Sequence, residues 1–194
     1  IIMGKSDENI ASDNFVALLA KVRKDSSIKA VVLRVNSPGG SAQSSEIIER
    51  ELALLRKDKP VVVSMGDYAA SGGYWIASNA DKIVTNNTTL TGSIGVFSMV
   101  LNAQKTLNKH LSINTATVNT NKHSDIMSGY RSLDNEEIAF IQSSVEVIYT
   151  DFVNLVSKGR NLSAEKVDSI GQGRIWSGAD ALKIGLADEK GGIS

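Results

Sequence analysis

Two short apolar runs, AVVLRV at residues 30–35 and PVVVS at residues 60–64, constrain the fold most strongly. The segment between them has apolar residues at helical spacing, namely Ile47, Ile48, Leu52 and Leu55. A strand, a helix and a second strand in this order are typical of a βα unit, and we expect its strands to be buried on both faces. The chain therefore predicts an α/β fold with a mostly parallel sheet and flanking helices.

A second amphipathic segment follows later in the chain. Asp134 and Glu137 have the spacing of a capping box, in which each residue satisfies the other's backbone N–H. The helix that they open carries a stripe of apolar residues, Ile138, Ile141, Val145, Ile148, Phe152 and Val156. This stripe predicts a long helix with one face in the core.

The composition excludes several classes of function. The chain has 194 residues, enough to bury a core, and we expect one domain over residues 1–194. Its 21 basic and 21 acidic residues are balanced and interspersed, so nucleic acid is not an expected partner. The absence of cysteine excludes disulfides and thiol catalysis. His110 and His123 lack a ligand-like spacing, so no metal or cofactor is expected.

The segment GDYAASGGYWIA, residues 66–77, places Ser71 directly after the second apolar run. A serine at this point is either the N-cap of a helix or a nucleophile. As a nucleophile, it would have the backbone N–H groups of Gly72 and Gly73 directed toward developing negative charge. The α/β-hydrolase elbow G-x-S-x-G is disfavoured because Ala69 stands where that motif needs glycine.

The segment RVNSPGGSA, residues 34–42, forms a turn after the first apolar run. Gly39 and Gly40 allow backbone conformations that are closed to other residues. If the two strands are neighbours, their carboxyl ends bring this turn beside Ser71, where α/β sheets commonly bind ligands. The alternative is a turn that only connects two elements. Neither a G-K-[ST] phosphate loop nor a G-x-G-x-x-G fingerprint is present.

Together with TLTGSIGVF, SKGR and GQGRIWSGADALKIGLAD, these two segments resemble the signal peptide peptidase A family, also called protease IV, over most of the chain. The resemblance implies a crotonase/Clp-like fold of repeated ββα units and a serine protease with a Ser-Lys dyad. Ser71 matches the nucleophile, and Gly39, Gly40 and Gly72 match the oxyanion hole. Ser93, in TGSIG, matches the serine that hydrogen-bonds the catalytic lysine.

The catalytic base is where this sequence departs from the family pattern. Half-length members carry the lysine just before a DIMS-like run, but here Ser124 stands in that place, with Lys122 two residues earlier. A shift of two residues in a strand keeps the same face, so Lys122 remains a candidate base. In double-length members the lysine comes from the N-terminal half. A chain that begins at Ile1 without a start signal and lacks this lysine resembles their C-terminal half, which alone would be weakly active or inactive.

The resemblance also implies a substrate class and partners. Substrates would be signal-peptide remnants or other hydrophobic extended peptides, cleaved through an acyl-enzyme. Partners would be the N-terminal half of the same protein and further copies in a tetramer-like bowl, on the outer side of the bacterial cytoplasmic membrane. Two other classes stay open: a crotonase-type acyl-CoA enzyme, with Asp67 as the acid nearest the serine motif, and a non-catalytic structural half that does not need Ser71.

Overall fold

The computed structural model of the chain describes residues 1–192. These residues divide into two compact units. The first, here called the sheet unit, consists of Ile1–Gly95 and residues 149–192. The second, here called the insert unit, is Val96–Ile148, which lies in sequence between the two segments of the first.

Six strands and seven helices are assigned within residues 1–192. In chain order they are α1 (Ser12–Lys24), β1 (Val31–Ser37), α2 (Ala42–Asp58), β2 (Val61–Ala70), α3 (Gly72–Ala77), β3 (Lys82–Thr85), β4 (Leu90–Gly92), α4 (Gln104–His110), α5 (Asn135–Arg160), α6 (Ala164–Ile170), β5 (Ile175–Ser177), α7 (Gly178–Lys183) and β6 (Glu189–Lys190). Of the helices in this described part, none has the length and apolar character needed to cross a membrane.

Strand β2 is the centre of the sheet. β1 pairs with it in parallel, and β3 and β4 pair in parallel with its amino-terminal and carboxyl-terminal parts. β6 extends the sheet beyond β3 in parallel, and β5 pairs with β4 in the antiparallel direction. The prediction of a mixed α/β fold with a mostly parallel sheet and flanking helices is confirmed.

Strand β1 differs from its prediction because only one of its faces is buried. Leu33 and Val35 are buried, whereas Val32 on the opposite face is 58% exposed. Within residues 1–192, β1 pairs only with β2, so it is an edge strand. The expectation of a strand covered on both faces was therefore wrong for β1, since a β-branched run does not distinguish an edge strand from a central one.

The core of the sheet unit fixes α3. All six residues of this short helix are buried. The Tyr74 hydroxyl donates a hydrogen bond to the Leu186 carbonyl oxygen at 2.8 Å. The ring of Trp75 packs against Phe152, with 4.5 Å between the ring centroids. Because α3 is held on several sides, the residue that precedes it, Ser71, has a defined position.

The insert unit contains α4 and the first part of α5. The capping box at the start of α5 forms as expected: the Glu137 N–H donates to Asp134 Oδ1, and the Asp134 N–H donates to Glu137 Oε2, both at 2.9 Å. All residues of Val96–Ile148 are described, and among them only Glu137 is buried. The prediction that the whole apolar stripe of α5 faces the core is therefore partly wrong. Phe152 and Val156 are buried, but Ile138 is 52% exposed.

Candidate active site

Ser71 lies at the junction between β2 and α3. Its φ of 52° is in the left-handed region, which costs a non-glycine residue on the order of 1–3 kcal/mol unless the surroundings enforce it. They do so here: the Ser71 N–H donates to the Gly92 carbonyl oxygen at 2.9 Å, and its carbonyl accepts from the Trp75 N–H at 2.8 Å. The Ser71 side chain makes no capping hydrogen bond. The hydroxyl of this half-buried serine is therefore not used as an N-cap.

The glycine turn packs directly against this junction. Gly39 has a φ of 112°, and a Cβ built on it would lie 2.8 Å from both the Gly72 nitrogen and the Ser71 Cβ. A Cβ on Gly72 would lie 3.3 Å from the Gly40 nitrogen. Only glycine permits so close an approach. The structure thus brings together Ser71 and the three glycines that the family resemblance assigns to the oxyanion hole.

Two backbone donors remain free at this contact. The first N–H groups of a helix have no acceptor within the helix, and Gly72 is the first residue of α3. In the turn, the Gly39 N–H already donates to Ser37 Oγ at 3.1 Å. Within residues 1–192, the N–H groups of Gly40 and Gly72 have no protein acceptor. These two amides are available to a developing oxyanion.

Asn36 shapes the site although the sequence analysis gave it no role. β1 and β2 lose register between Val35 and Ser37. The Asn36 Oδ1 fills this irregularity by accepting the Tyr68 N–H at 3.1 Å, and a Cβ on Gly66 would lie only 2.6 Å from it. The sequence does contain a signal for this role, since an asparagine directly before the Ser-Pro-Gly-Gly turn commonly forms hydrogen bonds with nearby backbone groups.

Ser45 is a second residue that the sequence analysis missed. Its hydroxyl donates to the Ser41 carbonyl oxygen at 2.9 Å, which directs Oγ toward α3. A Cβ on Gly72 would lie 2.5 Å from this oxygen. Ser45 therefore packs against Gly72 and supports its position. The sequence does not reveal this role, because the spacing of Ser45 is that of an ordinary buried position on α2.

Ser93 directly follows Gly92, whose carbonyl oxygen accepts the Ser71 N–H, so the backbone of Ser93 lies beside Ser71. It also has a left-handed conformation, with a φ of 47°. Its N–H donates to the Arg174 carbonyl oxygen at 2.8 Å, while its hydroxyl makes only a long contact of 3.5 Å to the Gly173 carbonyl oxygen. The half-exposed Ser93 hydroxyl is thus weakly bound and open to another partner.

Lys122 lies in the insert unit and is well exposed. Its Nζ donates to Glu136 Oε2 at 2.6 Å. This hydrogen bond raises the pKa of Lys122, whereas a lysine that acts as a base near neutral pH needs a lowered one. The assignment of Lys122 as a base stays a prediction, and its observed partner does not favour it.

His123 has carboxylate neighbours that its position in the sequence does not reveal. Its Nδ1 lies 3.0 Å from Glu137 Oε1, and this contact raises the pKa of His123. Ligand atoms of His123, Asp134 and Glu136 lie within 4.8 Å of one another. Residues 11 to 14 positions apart come together here because the loop packs on the start of α5. Glu136 is already bonded to Lys122, so the cluster is accounted for by ion pairs.

The comparison with known proteins adds the decisive observation. The sequence profile described as peptidase family S49 matches residues 53–194, a range that contains Ser71, Gly72 and Ser93. The chain belongs to peptidase family S49. The hydroxyl of Ser71 makes no capping hydrogen bond, and a free hydroxyl beside backbone amides is chemically suited to nucleophilic catalysis.

Named relatives agree with the family S49 assignment and with the resemblance to signal peptide peptidase A. Protease 4 of Haemophilus influenzae is 45% identical over 196 aligned positions, covering 100% of this chain and 32% of that protein. Protease 4 of Salmonella typhi is 43% identical, covering 94% of this chain and 29% of that protein. The chloroplastic serine protease SPPA of Arabidopsis thaliana is 37% identical, covering 95% and 27%. The chain thus spans between 27% and 32% of the length of these relatives.

Proposed function

We propose that this chain is the serine-bearing part of a serine peptidase that hydrolyses peptide bonds through an acyl-enzyme. One observation carries the proposal. The Ser71 hydroxyl makes no capping hydrogen bond, and the strained backbone of Ser71 holds it beside the free amides of Gly40 and Gly72. A crotonase/Clp-like fold of ββα units is part of the proposal. The family assignment favours a peptidase over an acyl-CoA enzyme, for which Asp67 was considered as the acid nearest to the serine motif.

In the proposed reaction the Ser71 oxygen attacks the substrate carbonyl carbon while a neutral lysine accepts the hydroxyl proton. The N–H groups of Gly40 and Gly72 bind the oxyanion. The C–N bond then breaks, and the lysine returns the proton to the leaving amine. Water repeats the sequence on the acyl ester and regenerates the Ser71 hydroxyl. Ser93 is proposed to hydrogen-bond the lysine.

The lysine is proposed to come from the N-terminal half of a double-length protein. In the sheet unit, within residues 1–192, Lys59 is the only buried lysine. Its Nζ donates to the Val22 carbonyl oxygen at 2.7 Å, and it precedes β2, whereas Ser71 follows this ten-residue strand. At about 3.3 Å per residue, the strand separates the two residues by roughly 30 Å. Lys59 is therefore not the base.

Comparing the chain with the full-length protein tests where the base originates. Hydrolysis of a hydrophobic extended peptide is expected only from the full-length protein, and Lys122→Met in it should leave the rate within about twofold, because the Lys122 ammonium is held by Glu136. The rate is measured by release of a fluorescent fragment, with Lys105→Met as a control for losing a lysine in the insert unit. Full turnover by the chain alone, abolished by Lys122→Met, would contradict an N-terminal lysine. Failure of the full-length protein to cleave any peptide would contradict a peptidase.

Substrates and location follow from the family resemblance. We propose signal-peptide remnants and other hydrophobic extended segments as substrates, on the outer side of the bacterial cytoplasmic membrane. Two relatives named Protease 4 come from bacteria, which supports the bacterial part of this proposal. Signal-peptide remnants are apolar, and an extended peptide presents its carbonyls to a backbone oxyanion hole without a helix to unfold first.

Assembly with further copies of the chain is part of the proposal. In the insert unit, where every residue is described, no apolar side chain is buried. Its exposed large apolar residues include Phe97, Met99, Leu101, Leu111, Ile113, Val118, Met127, Tyr130, Ile138, Phe140 and Val147. A segment with this much exposed apolar surface is typical of an interface. A homo-oligomer would cover it.

Self-association is expected to depend on the insert unit. Leu101→Glu should shift the chain to a smaller species in analytical ultracentrifugation across the micromolar range. The Leu101 side chain is 70% exposed, and a charge at this position would be costly to bury in an interface between copies. The matched control is Leu18→Glu on α1 of the sheet unit, also an exposed leucine, which should keep the oligomer. A wild-type chain that stays monomeric throughout would refute the assembly.

A further inference from the structure

Two left-handed, non-glycine residues lie in two loops that face each other next to the candidate site. Ser93 has a φ of 47°, and Gln172 has a φ of 55°. Two backbone hydrogen bonds join their loops: the Ser93 N–H donates to the Arg174 carbonyl oxygen, and the Gly173 N–H donates to the Ile94 carbonyl oxygen, both at 2.8 Å. Such conformations persist only where neighbours enforce them. The turn at residues 171–174 is thus the neighbour that enforces the conformation of Ser93.

The Tyr149 hydroxyl holds this turn from the opposite side. It accepts the Gln172 N–H at 3.2 Å and donates to Asp168 Oδ1 at 2.6 Å. A Cβ on Gly171 would lie 3.1 Å from the Tyr149 oxygen and 3.3 Å from the Ile94 carbonyl oxygen. The turn therefore passes tightly between Tyr149 and the loop that carries Ser93.

Asp168 orients the tyrosine. Burial and the hydrogen bond to Asp168 raise the pKa of Tyr149, so the hydroxyl stays protonated and keeps its proton directed at the carboxylate. The lone pairs of the same oxygen are then free to accept the Gln172 N–H. A phenylalanine would fill the same volume but make neither bond.

We propose that Tyr149, oriented by Asp168, is a positioning residue that holds the 171–174 turn and through it fixes Ser93 beside Ser71. Tyr149 acts at a distance and touches no reacting atom. The dependence arises because the Ser93 hydroxyl has only a 3.5 Å contact of its own, so its place is set by backbone bonds to the turn. This inference rests on the proposed function, in which Ser93 binds the catalytic lysine.

Tyr149→Phe in the full-length protein tests the inference by kinetics. We expect kcat to fall roughly tenfold, because the variant loses both hydrogen bonds of the Tyr149 hydroxyl, with KM within about twofold of wild type. Asp168→Asn keeps an acceptor for the hydroxyl and should retain most of kcat, whereas Asp168→Ala should match Tyr149→Phe. Ser157→Ala is the control, because it removes another hydroxyl of α5 that is bonded to backbone, at the Leu162 carbonyl oxygen.

Amide hydrogen exchange supplies a readout that does not need activity. In Tyr149→Phe, the amides of Ser93 and Gly173 should exchange faster than in Ser157→Ala. Unchanged exchange at both amides would overturn the holding of the turn. Faster exchange with wild-type kcat, or equal kcat losses in Tyr149→Phe and Ser157→Ala, would overturn the positioning role. Activity that survives Ser71→Ala would overturn the proposed function instead. The exchange result would still test whether Tyr149 holds the 171–174 turn.

Discussion

Ser71→Ala is expected to lower peptide hydrolysis by the full-length protein by roughly four to six orders of magnitude, while leaving the fold intact. The loss is large because the Ser71 oxygen is the atom that forms the acyl-enzyme in the proposed reaction. The fold should persist because the Ser71 side chain makes no capping hydrogen bond. Alanine keeps the Cβ that the strained backbone already accommodates, so unfolding free energy should stay within about 1 kcal/mol of wild type.

The control for this substitution is Ser78→Ala. Ser78 is the C-cap of α3, is fully buried and donates its hydroxyl hydrogen to the Trp75 carbonyl oxygen at 2.9 Å. Its removal should cost about 1 kcal/mol of stability without a comparable loss of turnover. A Ser71→Ala protein that keeps a tenth of wild-type kcat, measured with the same peptide, would show that the chain takes part in the assembly without catalysing through Ser71.

Gly39→Ala is expected to damage both stability and turnover. The new Cβ would meet the Gly72 nitrogen and the Ser71 Cβ at 2.8 Å, and the φ of 112° is closed to alanine. Backbone strain alone costs on the order of 1–3 kcal/mol. Relief of the clash moves the turn away from α3, separating the Gly40 amide from the Gly72 amide. Loss of one oxyanion donor typically costs about 10²–10³ in kcat.

Gly4→Ala is the matched control, since Gly4 also has a positive φ, of 84°, but nothing lies within 4 Å of its added Cβ. Thermal unfolding should reveal strain in both variants, and peptide hydrolysis should be lost only in Gly39→Ala. If both variants kept wild-type kcat, the glycine turn would be a connection and the oxyanion hole would lie elsewhere. If both lost kcat in proportion to their stability, the close packing of Gly39 would have no specific role in the reaction.

The sequence predicts the part of the site that local pattern and parallel topology determine together. An apolar run followed by Ser-Gly-Gly, and another followed by Pro-Gly-Gly, mark two strand ends, and neighbouring parallel strands bring such ends to one edge. The contact between Gly39 and Gly72 follows from that. The fold class was predictable for the same reason, since βα alternation is a local signal.

What sequence reasoning missed depends on contacts between distant residues. The Tyr149 hydroxyl reaches Gln172 across 23 positions, and no periodicity marks it as different from other residues of α5. Asn36 closes an irregularity in register that neither strand reveals alone. The exposure of Ile138 and of Val32 was missed because an apolar pattern shows which residues are hydrophobic but does not show which element of the fold packs on them.

Reaction of the full-length protein with a fluorophosphonate, followed by tryptic digestion and mass spectrometry, tests the assignment of Ser71 as the nucleophile most directly. Ser71 and Ser93 fall on different tryptic peptides, residues 58–82 and 83–105. We predict one adduct, on Ser71 in the first peptide, and its absence from Ser71→Ala. An adduct on Ser93, or hydrolytic activity without any adduct on residues 58–82, would contradict it.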